Sequence, residues 1–341
     1  MTARSIITKR LNHEGTETTP YTLAFEPKLY QKLTEHYKDE NWEQKKLRQF
    51  MCRYLNVDTQ LLQELDSVYS VDAFKALWRM DRKPWHLEKP PLAEPTLEGY
   101  SFPSPNVFTN PIFEKKAAAI AKYEVDTEHY RVIDMGWGIF ENTWRLRGFE
   151  NMLMDTIGDE DFYMEMCEKI TELYIAMLKA CEDVPADAYL FGDDWGDQRG
   201  IIIGPERWRK FLKPCWAKIY EEVHRQGKKS LHHSCGSVVQ IFDDLIEIGL
   251  DCHESVQPEA HGMAPEIIKE KWGSKMSFWG CLGSQGILAK GTPKEISAEI
   301  KRLHNLFKED GGFILAPAKP LMDEMNVDCA VAVIETLAEF N

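Results

Sequence analysis

The chain has 341 residues, 43% of them hydrophobic and 28% charged, which suits one α/β barrel with a large core and excludes global disorder. A formal net charge of −14 argues against partners with an anionic backbone or surface, so neither a nucleic acid nor a membrane is expected. The start, MTARSIITKRLNHEG, has no apolar signal region, no apolar run nears the ~20 residues that span a bilayer, and the eight scattered cysteines lack disulfide spacing. A cytoplasmic protein with free thiols is the expectation.

Residues 1–60 read as a polar, helical N-terminal extension of a single domain covering 1–341. PKLYQKLTEH opens with Pro27 at a first helical position and repeats apolar residues at helical spacing. YTLAF and LDSVYS are candidate early strands. Residues 81–112, with Pro84, Pro90, Pro91, Pro95, Pro103, Pro105 and Pro111, resist regular structure. They read as a long excursion over the barrel mouth or as a linker between domains.

From about residue 130, strands and helices alternate. RVIDMGWGIF, ADAYLFGDDW, KKSLHHSCGS, LDCHESVQ, KMSFWGCLG and GGFILAPAK read as strands, separated by amphipathic segments such as DEDFYMEMCEKITELYIAMLKAC and TPKEISAEIKRLHNLFKED. This alternation predicts a parallel sheet, and with the two early candidates it suits an eight-stranded (β/α)8 (TIM) barrel. A doubly wound open sheet is the alternative, weakened because no GxGxxG or GxxxxGK[ST] opens a helix.

In such a barrel the carboxyl ends of the strands line the site. The polar residues that fall there are Trp137 and Glu141; Asp193, Asp194 and Asp197; His233 and Cys235; Cys252, His253 and Glu254; Cys281, Ser284 and Gln285; and Lys319. On a strand His233 and Cys235 share one face while His232 takes the other. Imidazole and thiolate on one face can reach one zinc ion, with further ligands from neighbouring strands, Cys281 and Glu254 among the candidates. A buried cysteine beside a hydrogen-bonded histidine is the plainer reading. Adjacent Asp193 and Asp194 point to opposite sides, either as catalytic acids or as part of a solvated acidic loop. Trp195 beside them suits an aromatic substrate, and Arg199 either pairs with Asp197 or steers an anion. Trp137, Trp195, Gln198, Arg199 and Gln257 are the candidate substrate contacts.

The ordered motifs LFGDDWGDQRG, LHHSCGSV, SVQPEAHGM, SFWGCLG and GGFILAPA, with the start LNHEGTETTPYTLAF, resemble the uroporphyrinogen decarboxylase superfamily over nearly the whole chain. The resemblance implies a (β/α)8 barrel and one of several chemistries. Decarboxylases carry an arginine-rich stretch near the N-terminus for the porphyrin carboxylates; TTPYTLAFEPKLY has no arginine, which counts against a tetra-acid substrate. The other branch comprises cobamide-dependent methyltransferases. Thiol-accepting members look like His-x-Cys plus a distant Cys as zinc ligands. His233 and Cys235 match the pair, but Lys319 stands near the distant position. Cys281, where many relatives have glycine, could replace it, so His233, Cys235, Cys281 and Glu254 are the ligand candidates for zinc, with Asp193, Asp194 and Lys319 as catalytic groups. The implied activity is methyl transfer from a small methylated donor, an aryl methyl ether above all, to a Co(I) corrinoid carried by a partner protein. Transfer from a methylcorrinoid to a thiol or tetrahydrofolate, decarboxylation, and a non-catalytic binding barrel are the alternatives. The resemblance also implies a homodimer, a state members of the family often adopt.

Overall fold

Segments rich in β-branched and aromatic residues form the sheet that carries the site. The computed structural model describes residues 1–340. It begins its strands with β1 (Met51–Asn56), followed by β2 (Gln63–Glu64), β3 (Tyr69–Val71), β4 (Leu77–Arg79) and β5 (His86–Lys89). Then come β6 (Tyr130–Trp137), β7 (Ala188–Gly192), β8 (Lys229–His233), β9 (Cys252–Val256), β10 (Ser277–Leu282) and β11 (Phe313–Pro317). β1 and β6 to β11 form a curled, all-parallel sheet in the order β1-β6-β7-β8-β9-β10-β11. Every residue of β10 and β11 is buried, as parallel strands covered on both faces require.

Helices fill the crossovers. Glu160–Ala180 lies between β6 and β7, and its buried residues Tyr163, Met166, Cys167, Ile170, Tyr174 and Met177 follow the three-and-four spacing of one helical stripe. Pro293–Phe307, between β10 and β11, starts in a capping box of Thr292 and Glu295 and buries Ile296, Ile300, Leu303 and Phe307. The helix Ala3–Leu11 crosses the amino ends of the strands: Arg4 N donates to Glu128 O, and Gly312 N to Arg10 O. Its Arg10 is fully buried, with three nitrogens donating to Thr16 Oγ1, Phe307 O and Thr16 O at 2.7–2.8 Å. These bonds offset the cost of desolvating the charge and fix the floor of the sheet, opposite the site.

The eighth barrel position departs from expectation. YTLAF is not a regular strand: Tyr21 makes an isolated parallel bridge to Leu315 of β11, and Phe25 one to Leu321 beyond it. Pro20 has no N–H to donate and Pro27 already opens a helix, leaving too few residues for a ladder. The ladder therefore has seven strands. LDSVYS contributes instead to a separate antiparallel sheet, β2-β3-β4-β5. The expected all-helical stretch 1–60 holds helices Ala3–Leu11, Pro27–Tyr37 and Trp42–Lys46, and then β1. Nor do the prolines of 81–112 prevent regular structure. β5 lies among them, and Pro105 opens the helix Pro105–Val125, where a missing N–H costs nothing. All eight cysteines are free, and among the described residues no helix is long and apolar enough to cross a membrane.

Candidate active site

Two loops at the carboxyl edge of the sheet, after β7 and after β8, pack backbone on backbone. A Cβ at Gly196 would lie 2.8 Å from the carbonyl oxygens of Cys235 and Ser237, and one at Gly236 would lie 2.5 Å from Asp197 O. Gly236 also has φ +77°, a conformation that favours glycine. This close approach explains both glycines and brings Asp194 to Cys235, whose backbone N–H donates to Asp194 Oδ1 at 2.8 Å.

His233 stands between these groups. Its Nε2 lies 3.4 Å from Cys235 Sγ and 3.4 Å from Asp194 Oδ1. Its Nδ1 faces Glu254, the cross-strand neighbour of His233 in the β8–β9 register. One ligand atom each from Asp194, His233 and Cys235 lies within 4.8 Å of the others. Burial disfavours the charged imidazole, but Glu254, Asp194 and Cys235 outweigh it and hold the His233 pKa well above its ordinary value. Asp194 is likewise penalised by burial, yet His233 and the Cys235 N–H hold its carboxyl below the usual range. Imidazole nitrogen, thiolate and carboxylate are the donors zinc accepts. A carboxylate on the far ring nitrogen is the usual way to fix the tautomer of a metal-binding histidine. The donor set therefore fits a zinc ion held by Asp194, His233 and Cys235, with Glu254 orienting the ring rather than joining the cluster.

Cys281 is not brought to this cluster. It is fully buried, its thiol is pushed up by burial, and the charges that act on it are Arg302, Glu266 and Glu299 of the outer helices. The β9–β10 pairing shifts register between Trp279 and Gly280, and Ser255 and Cys281 both have positive φ. Cys281 ends β10, two strands from β8 in the sheet order, and does not line the cavity.

Asp193 and Asp194 do point to opposite sides. Asp193 is fully buried and accepts from Phe140 N (3.0 Å), Glu141 N (2.9 Å), Trp195 Nε1 (2.8 Å) and Trp216 Nε1 (3.3 Å). It thus caps the helix Ile139–Arg147 from another strand. Gly138 permits this, since a Cβ there would lie 2.5 Å from Asp193 Cβ. Burial pushes the Asp193 carboxyl up to about 7. Trp195 is buried as well, stacked on His232 with ring centroids 4.2 Å apart. Gln198 donates to Gln257, which also receives Gly236 N, so both tie loops together. Arg199 pairs with Asp197 in solvent. None of Asp193, Trp195, Gln198, Arg199 and Gln257 lines the cavity.

That cavity holds about 960 Å³ and runs between β1 and the segment 21–24 up to the cluster. Trp137 and Trp279 give it aromatic walls, and Asp194, His233, Glu254 and Lys319 line it. Two lining residues, both cations, went unnoticed in the sequence. Arg48 and Arg53 come from LRQFMCRYL but are engaged by Glu128 and Asp134 at 2.8 and 2.9 Å. Glu141, one of the polar residues expected at the strand ends, lies in the first turn of the helix Ile139–Arg147, and its carboxyl is pushed up to about 8, first by burial and then by Asp193 and Asp194. Lys319 makes no ion pair among the described residues.

The family model described as uroporphyrinogen decarboxylase (URO-D) matches residues 108–340. Among solved structures, a methyltransferase from Methanosarcina mazei is similar over 100% of this chain and 99% of its own, with TM-score 0.72 and 20% identity, a likeness of fold. A B12-independent methionine synthase from Shewanella sp. W3-18-1 matches over 96% and 97% with TM-score 0.43 and 10% identity. The 3-keto-D-glucoside 4-epimerase YcjR from E. coli matches over 70% and 86% with TM-score 0.40 and 12% identity. No curated protein is significantly similar to the chain.

Proposed function

The chain belongs to the uroporphyrinogen decarboxylase family, and from that premise we propose that it is a corrinoid-dependent methyltransferase. An aryl methyl ether gives its methyl group to the Co(I) corrinoid of a partner protein and leaves as a phenol. The observation that carries this reading is the Asp194–His233–Cys235 cluster set in the wall of an aromatic cavity. Zinc held there would supply Lewis acidity to the ether oxygen, whose charge rises as the bond to methyl breaks. Glu254 holds the His233 ring in the orientation that leaves Nε2 for the metal. Trp137 flanks the aryl ring. Glu141, protonated near neutral pH, donates a proton to the departing phenolate, and Lys319 offsets its charge. The corrinoid carries the redox chemistry; the barrel supplies binding, orientation and proton delivery.

A porphyrin tetra-acid fits less well. Arg48 and Arg53 are already paired, which leaves Lys319 as the one lining lysine or arginine without an ion pair among the described residues. The test is a donor screen with zinc-loaded protein and a reduced corrinoid protein, followed at the corrinoid absorbance. Methylation with aryl methyl ethers, lost in Cys235→Ala, is expected. Turnover of uroporphyrinogen without a corrinoid partner would replace this reading with decarboxylation, and zinc-dependent methylation of a thiol from methylcorrinoid would reverse the direction of transfer.

A further inference from the structure

Arg145 has no part in the chemistry above, yet it is fully buried. Its guanidinium lies between two rings, 4.9 Å from the Trp137 centroid and 5.1 Å from that of Phe74. Nη1 donates to Thr59 O at 3.0 Å, and Nε lies 3.5 Å from Asp72 Oδ2. Nη2 has no partner. Asp72, beside β3, accepts from Phe74 N (2.9 Å), Ala76 N (3.0 Å) and Trp78 Nε1 (2.7 Å). Trp78, on β4, meets Trp137 edge-on at 5.8 Å, and Trp144 leans on Trp137 at 5.3 Å. Thr59 Oγ1 accepts the Trp137 N–H at 3.2 Å. Trp137 is thus held at its backbone, on its ring by a cation and at its edges by two indoles, and its remaining surface lines the cavity.

A buried ion pair with an incomplete set of hydrogen bonds adds little to stability over apolar packing. What this one does is couple the antiparallel sheet β2–β5 to one cavity wall. We propose that this sheet, acting through Asp72 and Arg145, positions Trp137 as a fixed stacking surface and so selects planar aromatic methyl donors over alkyl donors. Asp72 and Arg145 are positioning residues; Trp137 is the group that touches substrate. The selectivity rests on the methyltransferase reading, whereas the stacking surface does not.

The test therefore has two arms. In the first, 2-methoxyphenol is titrated into full-length, metal-free protein without corrinoid and followed by tryptophan fluorescence and calorimetry. Trp137→Leu is expected to weaken binding about tenfold, and Asp72→Asn and Arg145→Lys by about threefold to tenfold, the worth of one well-placed aromatic contact. In a Trp137→Leu background the other two substitutions are expected to add nothing further. Trp78→Phe, which removes only the indole N–H from Asp72, carries the same expectation if Asp72→Asn does not fold. In the second arm, the ratio of kcat/KM for an aryl methyl ether to that for methanol falls by the same factors. Unchanged binding in folded variants, or equal losses with and without Trp137, overturns the proposal. Trp137-dependent binding without any methyl transfer keeps the stacking surface and removes the methyltransferase reading.

Discussion

Glu141→Gln separates the electrostatics of the cavity wall from its shape. Glu141 is the third residue of the helix Ile139–Arg147, with its N–H on Asp193. Burial, then Asp193 and Asp194, raise its carboxyl from 4.5 to about 8, against the opposing pull of His233 and Arg145. A carboxyl that holds its proton longer in the fold than in the unfolded chain stabilises the fold fully below pH 4.5. That contribution is lost as the pH rises through about 8. At about 1.36 kcal/mol for each tenfold, the difference between 4.5 and about 8 amounts to at most about 5 kcal/mol. Glutamine has nearly the same shape and cannot ionise. Urea denaturation of metal-free protein at pH 5, 7 and 9 should therefore give wild type and variant similar stability at pH 5. The variant should lead by several kcal/mol at pH 9, within that limit of about 5. A constant gap across the three pH values would refute the reasoning, because it would mean the carboxyl ionises alike in the folded and unfolded chain.

Other substitutions address the cluster and its scaffold. Cys235→Ser should lower zinc affinity about 100-fold or more, while Cys281→Ala leaves it within about twofold; competition with a chromophoric chelator measures both, and the reverse ranking would discard the Asp194–His233–Cys235 site. Glu254→Gln should weaken zinc binding by about tenfold to 100-fold by releasing the His233 ring, read in the same titration. Gly138→Ala puts a methyl 2.5 Å from Asp193 Cβ and Cγ. Because four N–H groups hold that carboxylate, the change should cost about 3 kcal/mol, seen as a lowered melting temperature. A melt matching wild type would mean the cap is not formed.

Much of this molecule is written locally. Alternating strands and helices after residue 130 follow from side-chain periodicity and turn residues, and β6 to β11 fall where those patterns lie. The opposite facing of Asp193 and Asp194, the shared face of His233 and Cys235, and the rule that chemistry gathers at strand ends are also consequences of a two-residue repeat. Other features were beyond that repeat. Cys281 ends β10, two strands from the His233 of β8, and no residue type announces that separation. Whether Asp193 serves catalysis or a helix end depended on Phe140 and Glu141, more than 50 residues earlier. Glu254 faces His233 because β8 and β9 pair in one register, and Arg145 acquires its meaning only from Asp72 and Phe74 in a sheet the sequence reading had not formed. Periodicity and propensity are properties of neighbouring residues, so the chain by itself determined its elements and their exposed and buried faces. Register, loop packing and the partner of each buried charge are settled by contacts between distant segments, and those only the tertiary structure decided.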